Sequence, residues 1–334
     1  MQTSEHIAVI GDGAWATVCA LMLCENGHRV RMWSPLPEVA ADMQAHRENR
    51  KYLPGTLLPA AMEVTGDDRA IFDGATLVLH TTPTQFARIV WQRLAPHCGA
   101  DLSVCSVTKG IENGTLMRPT QILLDVLGGP STRVAALSGP SIAPEVANHL
   151  PATVAVASEN LSLTRRVQAA ITRPYFRVYT NTDLIGTELA GATKNVIAIA
   201  AGILDGLRAG DNAKAALLTR GLVEITRLGL AMGAKAETFA GLAGMGDLVT
   251  TCISPVGRNR CLGEAIGRGA TLKEAQGAAH GVVEGVATTA SVVELAASVG
   301  VEMPITLAAY DVLFNNRRPA DAIADLMARP PKAE

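Results

Sequence analysis

The stretch 6–33 contains the pattern that most restricts the fold of this chain. An apolar strand at 6–10 runs into Gly11-Asp12-Gly13-Ala14-Trp15-Ala16, and a helical pattern then leads to Gly27 and a second strand at 29–33. Strand, glycine turn, helix and strand within about thirty residues form the βαβ dinucleotide-binding unit. Gly11 and Gly13 let a pyrophosphate approach backbone N–H groups, and the helix N-terminus adds partial positive charge. A glycine turn without a ligand is the alternative.

The residues after the second strand normally distinguish NAD from NADP. An acidic side chain there binds the ribose 2′-hydroxyl, whereas an arginine accommodates a 2′-phosphate. This chain has Ser34-Pro35, which carries neither charge. The sequence therefore leaves the choice between NAD and NADP open.

Composition restricts the class of protein and its partners. At 334 residues the chain is long for one core, and 48% hydrophobic residues exclude disorder. A formal net charge of −2 provides no electrostatic footprint for nucleic acid. No apolar run reaches the length of a membrane span, and the N-terminus lacks the regions of a signal peptide. We expect a cytoplasmic protein without stable membrane association.

The six cysteines show neither C-x-x-C pairs nor spacing typical of a zinc site. A chain of this size does not need disulfides for stability. We therefore expect reduced, mostly buried thiols and no metal site.

Two later strands of the amino-terminal half are followed by polar candidates. The strand at 102–106 leads to Lys109, and the strand at 133–137 leads to Ser141. Ligands of open α/β sheets lie beyond the carboxyl ends of the strands, so Lys109 is placed to reach a cofactor or an anionic substrate. A solvated loop lysine and a helix-capping serine are the alternatives.

The composition changes after Asn181. From 182 to about 328 the chain shows helical patterns joined by short glycine loops, with no convincing strand. This shift predicts a Rossmann-like α/β dinucleotide-binding domain at 1–181, followed by an all-α substrate domain at 182–334.

One predicted helix, at 186–202, is apolar on nearly every side and contains a single lysine, Lys194. Such a helix is buried all round. Burial of an unpaired ammonium costs several kcal/mol, so we expect Lys194 to have an acidic partner, a lowered pKa, or both. The alternative is that the side chain extends from the helix to solvent.

A second run in the helical half is rich in glycine and charge. Three glycines precede Asp247 within a few residues and predict a tight loop before the next helix, and Arg258-Asn259 follow shortly after. Asp247 is a candidate partner for Lys194, or a cap of the next helix. Arg258 and Asn259 carry donors suited to a phosphate or carboxylate.

Taken together, these motifs resemble the NAD(P)-dependent glycerol-3-phosphate dehydrogenases of the bacterial type over essentially the whole chain. The resemblance is carried by Gly11-Asp12-Gly13-Ala14-Trp15, Tyr52-Leu53-Pro54-Gly55, Thr108-Lys109-Gly110-Ile111-Glu112, Ser138-Gly139-Pro140-Ser141-Ile142-Ala143, Tyr179-Thr180-Asn181-Thr182-Asp183, Lys194-Asn195-Val196-Ile197-Ala198, Asn212-Ala213-Lys214-Ala215-Ala216-Leu217, Gly244-Met245-Gly246-Asp247-Leu248 and Arg258-Asn259-Arg260.

The resemblance implies a role for each matched residue. It makes Lys194 the proton acceptor and Asp247 the residue that positions it, while Lys109 touches both substrate and nicotinamide. The substrate contacts that it implies are Lys109, Gly139, Ser141, Lys194, Asp247, Arg258 and Asn259. The dinucleotide contacts are Gly11, Gly13, Ala14, Trp15, Ser34, Lys109, Ala143, Arg258, Val282 and Glu284.

Four positions depart from the family pattern. Ala16 replaces the usual glycine after the tryptophan, and Ser34 stands where a basic residue often meets the NADP phosphate. The segment 80–84, His-Thr-Thr-Pro-Thr, replaces a more apolar turn near the nicotinamide, and Gly257 replaces a serine. None of these changes removes a charged catalytic group.

The implied activity is reversible hydride transfer between NAD or NADP and the glycerol 3-phosphate/dihydroxyacetone phosphate pair, which supplies glycerol 3-phosphate for phospholipid synthesis. One alternative is a 6-phosphogluconate or β-hydroxyacid type of dehydrogenase with the same two-domain plan. Another is a dinucleotide-binding sensor without catalysis. The expected partner is a phosphorylated triose, and a homodimer is left open.

Overall fold

The computed structural model describes residues 4–279 and 281–330. The chain divides into two compact units: Met1–Lys109 with Met117–Glu188, and Gly110–Leu116 with Leu189–Glu334. The division between residues 188 and 189 lies inside the long helix that contains Lys194. The domain boundary that composition predicts lies between residues 181 and 182, and it stays a prediction about domains that fold independently.

The first unit is built on one eight-stranded sheet and a two-stranded ribbon. The strands are β1 (His6–Ile10), β2 (Arg29–Trp33), β3 (Glu48–Asn49), β4 (Leu53–Leu57), β5 (Met62–Thr65), β6 (Leu77–His80), β7 (Ser103–Ser106), β8 (Val134–Ser138), β9 (Ala152–Ala157) and β10 (Phe176–Asn181). The large sheet has the order β10-β9-β8-β7-β6-β1-β2-β5, and β3 pairs with β4. This arrangement confirms the Rossmann-like prediction.

Sheet topology determines where a ligand is expected. All neighbouring strands of the large sheet are parallel except β8 and β9, which are antiparallel. From β1 the chain continues to β2 on one side, while β6 lies on the other, so the strand order reverses between β1 and β6. Such a switch point opens a crevice at the carboxyl ends of the strands, where ligands bind in open α/β sheets.

The helices of the described chain follow the predicted division. They are α1 (Ala14–Glu25), α2 (Pro37–His46), α3 (Thr84–Leu94), α4 (Pro119–Leu127), α5 (Ala143–Ala147), α6 (Leu161–Ile171), α7 (Leu184–Gly206), α8 (Asp211–Ala231), α9 (Ala236–Ala240), α10 (Asp247–Ile253), α11 (Arg258–Gly267), α12 (Leu272–Gly277), α13 (Glu284–Ser298), α14 (Pro304–Phe314) and α15 (Pro319–Met327). Within residues 4–279 and 281–330, no strand follows Asn181, and no helix is long and apolar enough to cross a bilayer.

The sheet of the first unit is buried on both faces. One face packs side chains such as Ile7, Val9 and Val30 against α1, α5 and α6, whereas the other packs Ala8 and Ile10 beside Trp91 of α3. Parallel strands that are covered on both faces read as continuous apolar runs, which explains why they were visible in the sequence. All six cysteines are free, and Cys19, Cys105 and Cys252 are buried. The thiols are therefore reduced as expected, but only half of them are buried.

Close approach of α7 and α11 depends on four glycines. Gly202 and Gly206 lie one turn apart on α7, and Gly263 and Gly267 lie one turn apart on α11. A Cβ on Gly206 would lie 2.8 Å from the Cα of Gly267, and one on Gly263 would overlap the carbonyl oxygen of Ile199. Small residues at this spacing let two helix backbones approach closely.

Two buried carboxylates satisfy the first N–H groups of other helices. Glu188 of α7 accepts hydrogen bonds from the backbone N–H (2.8 Å) and the hydroxyl (2.6 Å) of Thr120, and it pairs with Arg118. Glu224 of α8 accepts from the backbone N–H of Ile305 at 2.6 Å. Burial raises the pKa of Glu224 to about 7, although the donors at the start of α14 oppose that shift. Glu188 therefore adds to the local capping box of Arg118 and Gln121 at α4, whereas Glu224 replaces a local cap at α14.

Gly263→Ala tests the packing of α7 against α11. The added methyl group meets backbone rather than a flexible side chain, so we expect a loss of about 1–3 kcal/mol in the free energy of unfolding. Urea denaturation followed by circular dichroism measures this loss.

Gly277→Ala is the matched control, because it lies in helix α12 and its Cβ would meet nothing within 4 Å. We expect that change to be neutral or slightly stabilising. Equal stability of both variants would contradict the close contact.

Candidate active site

The glycine turn after β1 is held against the neighbouring strand ends. Gly11 has φ +130°, and its N–H donates to the carbonyl of Trp33 at 2.9 Å. A Cβ on Gly11 would overlap the hydroxyl of Thr81, which itself donates to the carbonyl of Ile10 at 2.7 Å. Both the backbone conformation and the contact with Thr81 therefore require glycine.

Gly13 differs, because the surrounding protein does not require glycine there. Its φ is −70°, and a Cβ would meet nothing within 4 Å. The open space lies at the start of α1, where Ala14 and Trp15 are the first two helical residues. A pyrophosphate that approaches this helix N-terminus fills such a space, so the turn fits a dinucleotide.

Ser34 lies directly after β2 and is fully buried. Its hydroxyl donates a hydrogen bond to Oδ2 of Asp12 at 2.6 Å. The structure therefore links Ser34 to the glycine turn through Asp12. A direct contact of Ser34 with the cofactor stays a prediction.

His80 ends β6 beside the switch point and is fully buried. The indole N–H of Trp91 donates to its Nδ1 at 3.1 Å, so Nε2 carries the hydrogen of the neutral ring. Burial lowers the pKa of His80 to about 3. This departure from the family pattern therefore adds no positive charge at neutral pH.

The loops after β7 and β8 bring three candidates together. The ammonium of Lys109 donates to the carbonyl of Gly139 at 3.0 Å, and the hydroxyl of Ser141 donates to the same oxygen at 3.0 Å. Gly139 has φ +142°, and a Cβ there would lie 2.8 Å from the Cα of Val154. Ala143 begins α5 two residues after Ser141. The carbonyl of Gly139, in the loop after β8, therefore holds the ammonium of Lys109 in place.

In the second unit, Lys194 lies inside α7 and is only 6% exposed. Its ammonium donates to Oδ1 of Asp247 and to the hydroxyl of Thr251, both at 2.5 Å. Asp247 is 2% exposed, and the hydroxyl of Thr251 donates back to the carbonyl of Asp247 at 2.7 Å. The expectation of an acidic partner for Lys194 is confirmed, and the solvent-directed alternative is wrong.

The predicted tight loop before Asp247 is instead a π-helical turn, Leu242–Gly246, which continues directly into α10. Gly244 is required there because a Cβ would overlap the backbone of Phe239. Short π-helical turns of this kind are rare and frequently lie at functional sites. The first residue of α10 is Asp247.

The start of α11 carries the donors predicted for an anion. Arg258 donates to the carbonyl of Val282 at 2.7 Å. The amide nitrogen of Asn259 donates to Oδ1 of Asn195 at 3.0 Å, and its oxygen accepts the N–H of Gly285 at 3.0 Å. Glu284 is the first residue of α13. Arg258, Asn259, Val282 and Glu284 therefore form one cluster.

Each unit thus gathers its own share of the predicted residues. The first unit holds Gly11, Gly13, Ala14, Trp15, Ser34, Lys109, Gly139, Ser141 and Ala143, and the second holds Lys194, Asp247, Arg258, Asn259, Val282 and Glu284. Sequence reasoning did not assign Thr251 or Asn195 to the site. The signals were present, since Thr251 lies one helical turn after Asp247 and Asn195 directly follows Lys194.

Comparison with known proteins decides the family. Residues 6–164 match the model of the NAD-dependent glycerol-3-phosphate dehydrogenase N-terminus, and residues 183–324 match the model of its C-terminus. A glycerol-3-phosphate dehydrogenase [NAD(P)+] of Citrifermentans bemidjiense is 48% identical over 99% of both chains. The chain belongs to the NAD(P)-dependent glycerol-3-phosphate dehydrogenase family.

Two further relatives support the same assignment. The glycerol-3-phosphate dehydrogenase [NAD(P)+] of Geobacillus thermodenitrificans is 47% identical, over 99% of this chain and 96% of its own. The crystal structure of glycerol-3-phosphate dehydrogenase from Coxiella burnetii has a TM-score of 0.93 at 39% identity, and it covers 98% of this chain and 99% of that one. The protein is thus an oxidoreductase that uses NAD or NADP, rather than a hydroxyacid dehydrogenase or a sensor without catalysis.

The burial of Lys194 with Asp247 predicts strong coupling between them. In Asp247→Asn the ammonium loses its buried carboxylate, and we expect a loss of about 3 kcal/mol in the free energy of unfolding. Adding Lys194→Met removes the unpaired charge and should recover most of that loss. A double-mutant cycle by chemical denaturation measures the coupling.

Glu294→Gln, which changes an exposed acid on α13, is the control and should shift stability by less than about 0.5 kcal/mol. Additive effects of the Lys194 and Asp247 substitutions would contradict a buried ion pair.

Proposed function

We propose that Lys194 is the proton acceptor when glycerol 3-phosphate is oxidised, and the proton donor when dihydroxyacetone phosphate is reduced. The observation that carries this proposal is a lysine that is 6% exposed and bonded to both Asp247 and Thr251 at 2.5 Å. A nicotinamide, when bound, accepts or supplies the hydride at C2 of the substrate. In oxidation, Lys194 takes the proton from the hydroxyl oxygen on that carbon; in reduction, the protonated Lys194 gives its proton to the same oxygen.

Asp247 and Thr251 act in this proposal as positioning residues. Two oxygen acceptors on neighbouring turns of α10 fix the direction of the Lys194 amine. The side chain therefore loses less conformational entropy when it meets the substrate oxygen. The carboxylate also stabilises the ammonium after the proton has been transferred.

Lys109 has a complementary role in the proposal. Its ammonium is held at the carboxyl end of the sheet by the carbonyl of Gly139, and Ser141 shares that oxygen. In the reducing direction, negative charge develops on the oxygen at C2 as the hydride arrives. A preorganised positive charge lowers the free energy of such a transition state.

The start of α11 is proposed to hold the substrate phosphate. Arg258 is the first residue of the helix, Asn259 is the second, and Gly257 precedes them without a side chain that covers the helix end. A helix N-terminus with an arginine and an amide favours a phosphate dianion. Binding energy from the phosphate then orients C2, which lies away from it.

We further propose that Ala14, Trp15, Lys109, Ala143, Arg258, Val282 and Glu284 contact the dinucleotide, with Gly11 and Gly13 beneath the pyrophosphate. The open space beside Gly13 supports this proposal. The family relationship also supports a cytoplasmic role in which glycerol 3-phosphate enters phospholipid synthesis. If that role is right, external glycerol 3-phosphate should restore growth of cells depleted of the enzyme.

A homodimer is also proposed. Met245, Val249 and Ile253 lie four residues apart along the π-helical turn and α10, and they are 46%, 38% and 55% exposed, so they form an apolar stripe on the second unit. An exposed stripe of this kind is typical of protein–protein contacts. Light scattering of the purified protein distinguishes a dimer from a monomer, and a monomer at micromolar concentration would contradict this proposal.

Lys194→Met tests the proton acceptor. We expect kcat for dihydroxyacetone phosphate reduction to fall by about 10²–10⁴, because general acid–base catalysis is lost. NADH affinity by calorimetry and the far-ultraviolet circular dichroism spectrum should remain close to wild type.

Lys273→Met, which removes an exposed lysine of α12, serves as the control and should keep wild-type turnover. If Lys194→Met also retains wild-type kcat, the proton acceptor is another group.

Arg258→Ala tests the phosphate contact. We expect kcat/KM for dihydroxyacetone phosphate to fall by about tenfold to a hundredfold, the cost of one charge-assisted hydrogen bond. At saturating NADH, which removes any effect of the proposed dinucleotide contact, the residual rate with dihydroxyacetone, which lacks the phosphate, should change much less.

Arg268→Ala is the matched control, since Arg268 lies directly after α11 and its side chain is 68% exposed. Equal losses on both substrates in Arg258→Ala would place that residue outside the phosphate site.

A further inference from the structure

The glycine turn of this chain contains an acid, Asp12, between Gly11 and Gly13. The turn follows β1, and Ser34 is the first residue after β2. The two strands are paired in parallel, with Ile10 opposite Trp33, so Asp12 and Ser34 emerge side by side at the same sheet edge. Ser34 donates its hydroxyl hydrogen to Oδ2 of Asp12 at 2.6 Å.

Several contacts fix this arrangement. Ser34 is fully buried, its N–H donates to the carbonyl of Thr65 at 3.0 Å, and its hydroxyl accepts the N–H of Leu36 at 3.2 Å. The side-chain amide of Asn49 donates to the backbone carbonyl of Asp12 at 2.7 Å. Both the backbone and the carboxylate of Asp12 are therefore held at the end of β2.

That position is where a βαβ unit distinguishes the two dinucleotides. The ribose 2′-hydroxyl of NAD donates to an acid near the end of the second strand, whereas the 2′-phosphate of NADP requires positive charge there. A carboxylate can accept about four hydrogen bonds, so the bond from Ser34 leaves acceptor capacity for a hydroxyl group. Toward a phosphate, the same carboxylate is repulsive.

Two arginines of this unit are directed elsewhere. The residues that follow β2, Ser34-Pro35-Leu36, contain no base. Arg93 donates to Asp68 at 2.6 Å and lies over the ring of Trp33. Arg47 donates to backbone carbonyls, including that of Met62 at 2.9 Å. These arginines are thus committed to contacts within the protein.

Lys51 is a base whose charge acts on Asp12. A hydrogen bond with Tyr52 is the main cause that raises the pKa of Lys51, and the charge of Asp12 contributes to the same shift. The side chain lies over the ring of Tyr52, with the ammonium 4.8 Å from the ring centroid. It is the residue to test as a competing site for a 2′-phosphate.

We propose that Asp12, anchored by Ser34, determines cofactor specificity in this chain and makes NAD(H) the preferred dinucleotide over NADP(H). In the usual βαβ unit the deciding acid belongs to the end of the second strand. Here the glycine turn supplies it, and the residue after the second strand holds it in place. The inference rests on the proposed function in one respect, namely that the dinucleotide binds at the Gly11–Trp15 turn.

The test compares NADH with NADPH by two measurements. The first is kcat/KM for each dinucleotide at saturating dihydroxyacetone phosphate, and the second is the dissociation constant of each dinucleotide from calorimetry. For the wild type we expect both kcat/KM and affinity to be at least about tenfold higher for NADH than for NADPH. Repulsion between the carboxylate of Asp12 and a 2′-phosphate near the protein surface is large enough to cause such a difference. Asp12→Asn should improve NADPH relative to NADH by about tenfold. Ser34→Ala, which releases the carboxylate, should produce a smaller shift in the same direction.

Asp101→Asn is the matched control, since it neutralises an exposed acid in the turn before β7 and should leave the ratio unchanged. A wild type that uses NADPH as well as NADH, or an unchanged ratio in Asp12→Asn, would overturn the inference. The inference would also be overturned if Lys51→Met lost NADPH binding while its affinity for NADH stayed unchanged, because Lys51 would then be the residue that binds the 2′-phosphate. Absence of turnover with either dinucleotide would instead contradict the proposed function.

Discussion

Burial of one ammonium imposes the strongest constraint on the helical unit. Lys194 is buried within α7, so the fold must bring it a carboxylate and keep water from competing for that carboxylate. Asp247 and Thr251 of α10 meet this need, and α10 continues directly from the π-helical turn. Loss of Asp247 would leave a charge unpaired inside the unit.

A hydrogen bond also joins α7 to α11, the two helices that approach closely at the glycines. Asn195, which follows Lys194 on α7, accepts a hydrogen bond from Asn259 of α11, so the residue next to the proposed proton acceptor contacts the proposed phosphate site. Gly285 extends the contact, since a Cβ there would lie 2.9 Å from the carbonyl oxygen of Asn195. Glycine is therefore required where this segment of α13 meets Asn195.

In the first unit, sequence patterns predict the buried strands but not the edge strand or the contacts between distant segments. The strands β1, β2, β7 and β8 were visible because burial on both faces leaves continuous apolar runs. The edge strand β5 was missed because Met62–Thr65 includes the charged Glu63 and lies at the end of the sheet, where one side is unpaired. The contact of Thr81 with Gly11 was also invisible, because 70 residues separate them in the chain and only strand order brings them together.

Local patterns in the chain predict the βαβ glycine turn, a sheet-containing half followed by a helical half, and an acidic partner for Lys194. Each of these follows from local pattern or from the free energy of burying a charge. The contact of Thr251 with Lys194 beside Asp247, and the contact of Ser34 with Asp12, become apparent only in three dimensions. Those pairings depend on helix direction and strand register, which are set by packing between segments that are distant in the chain.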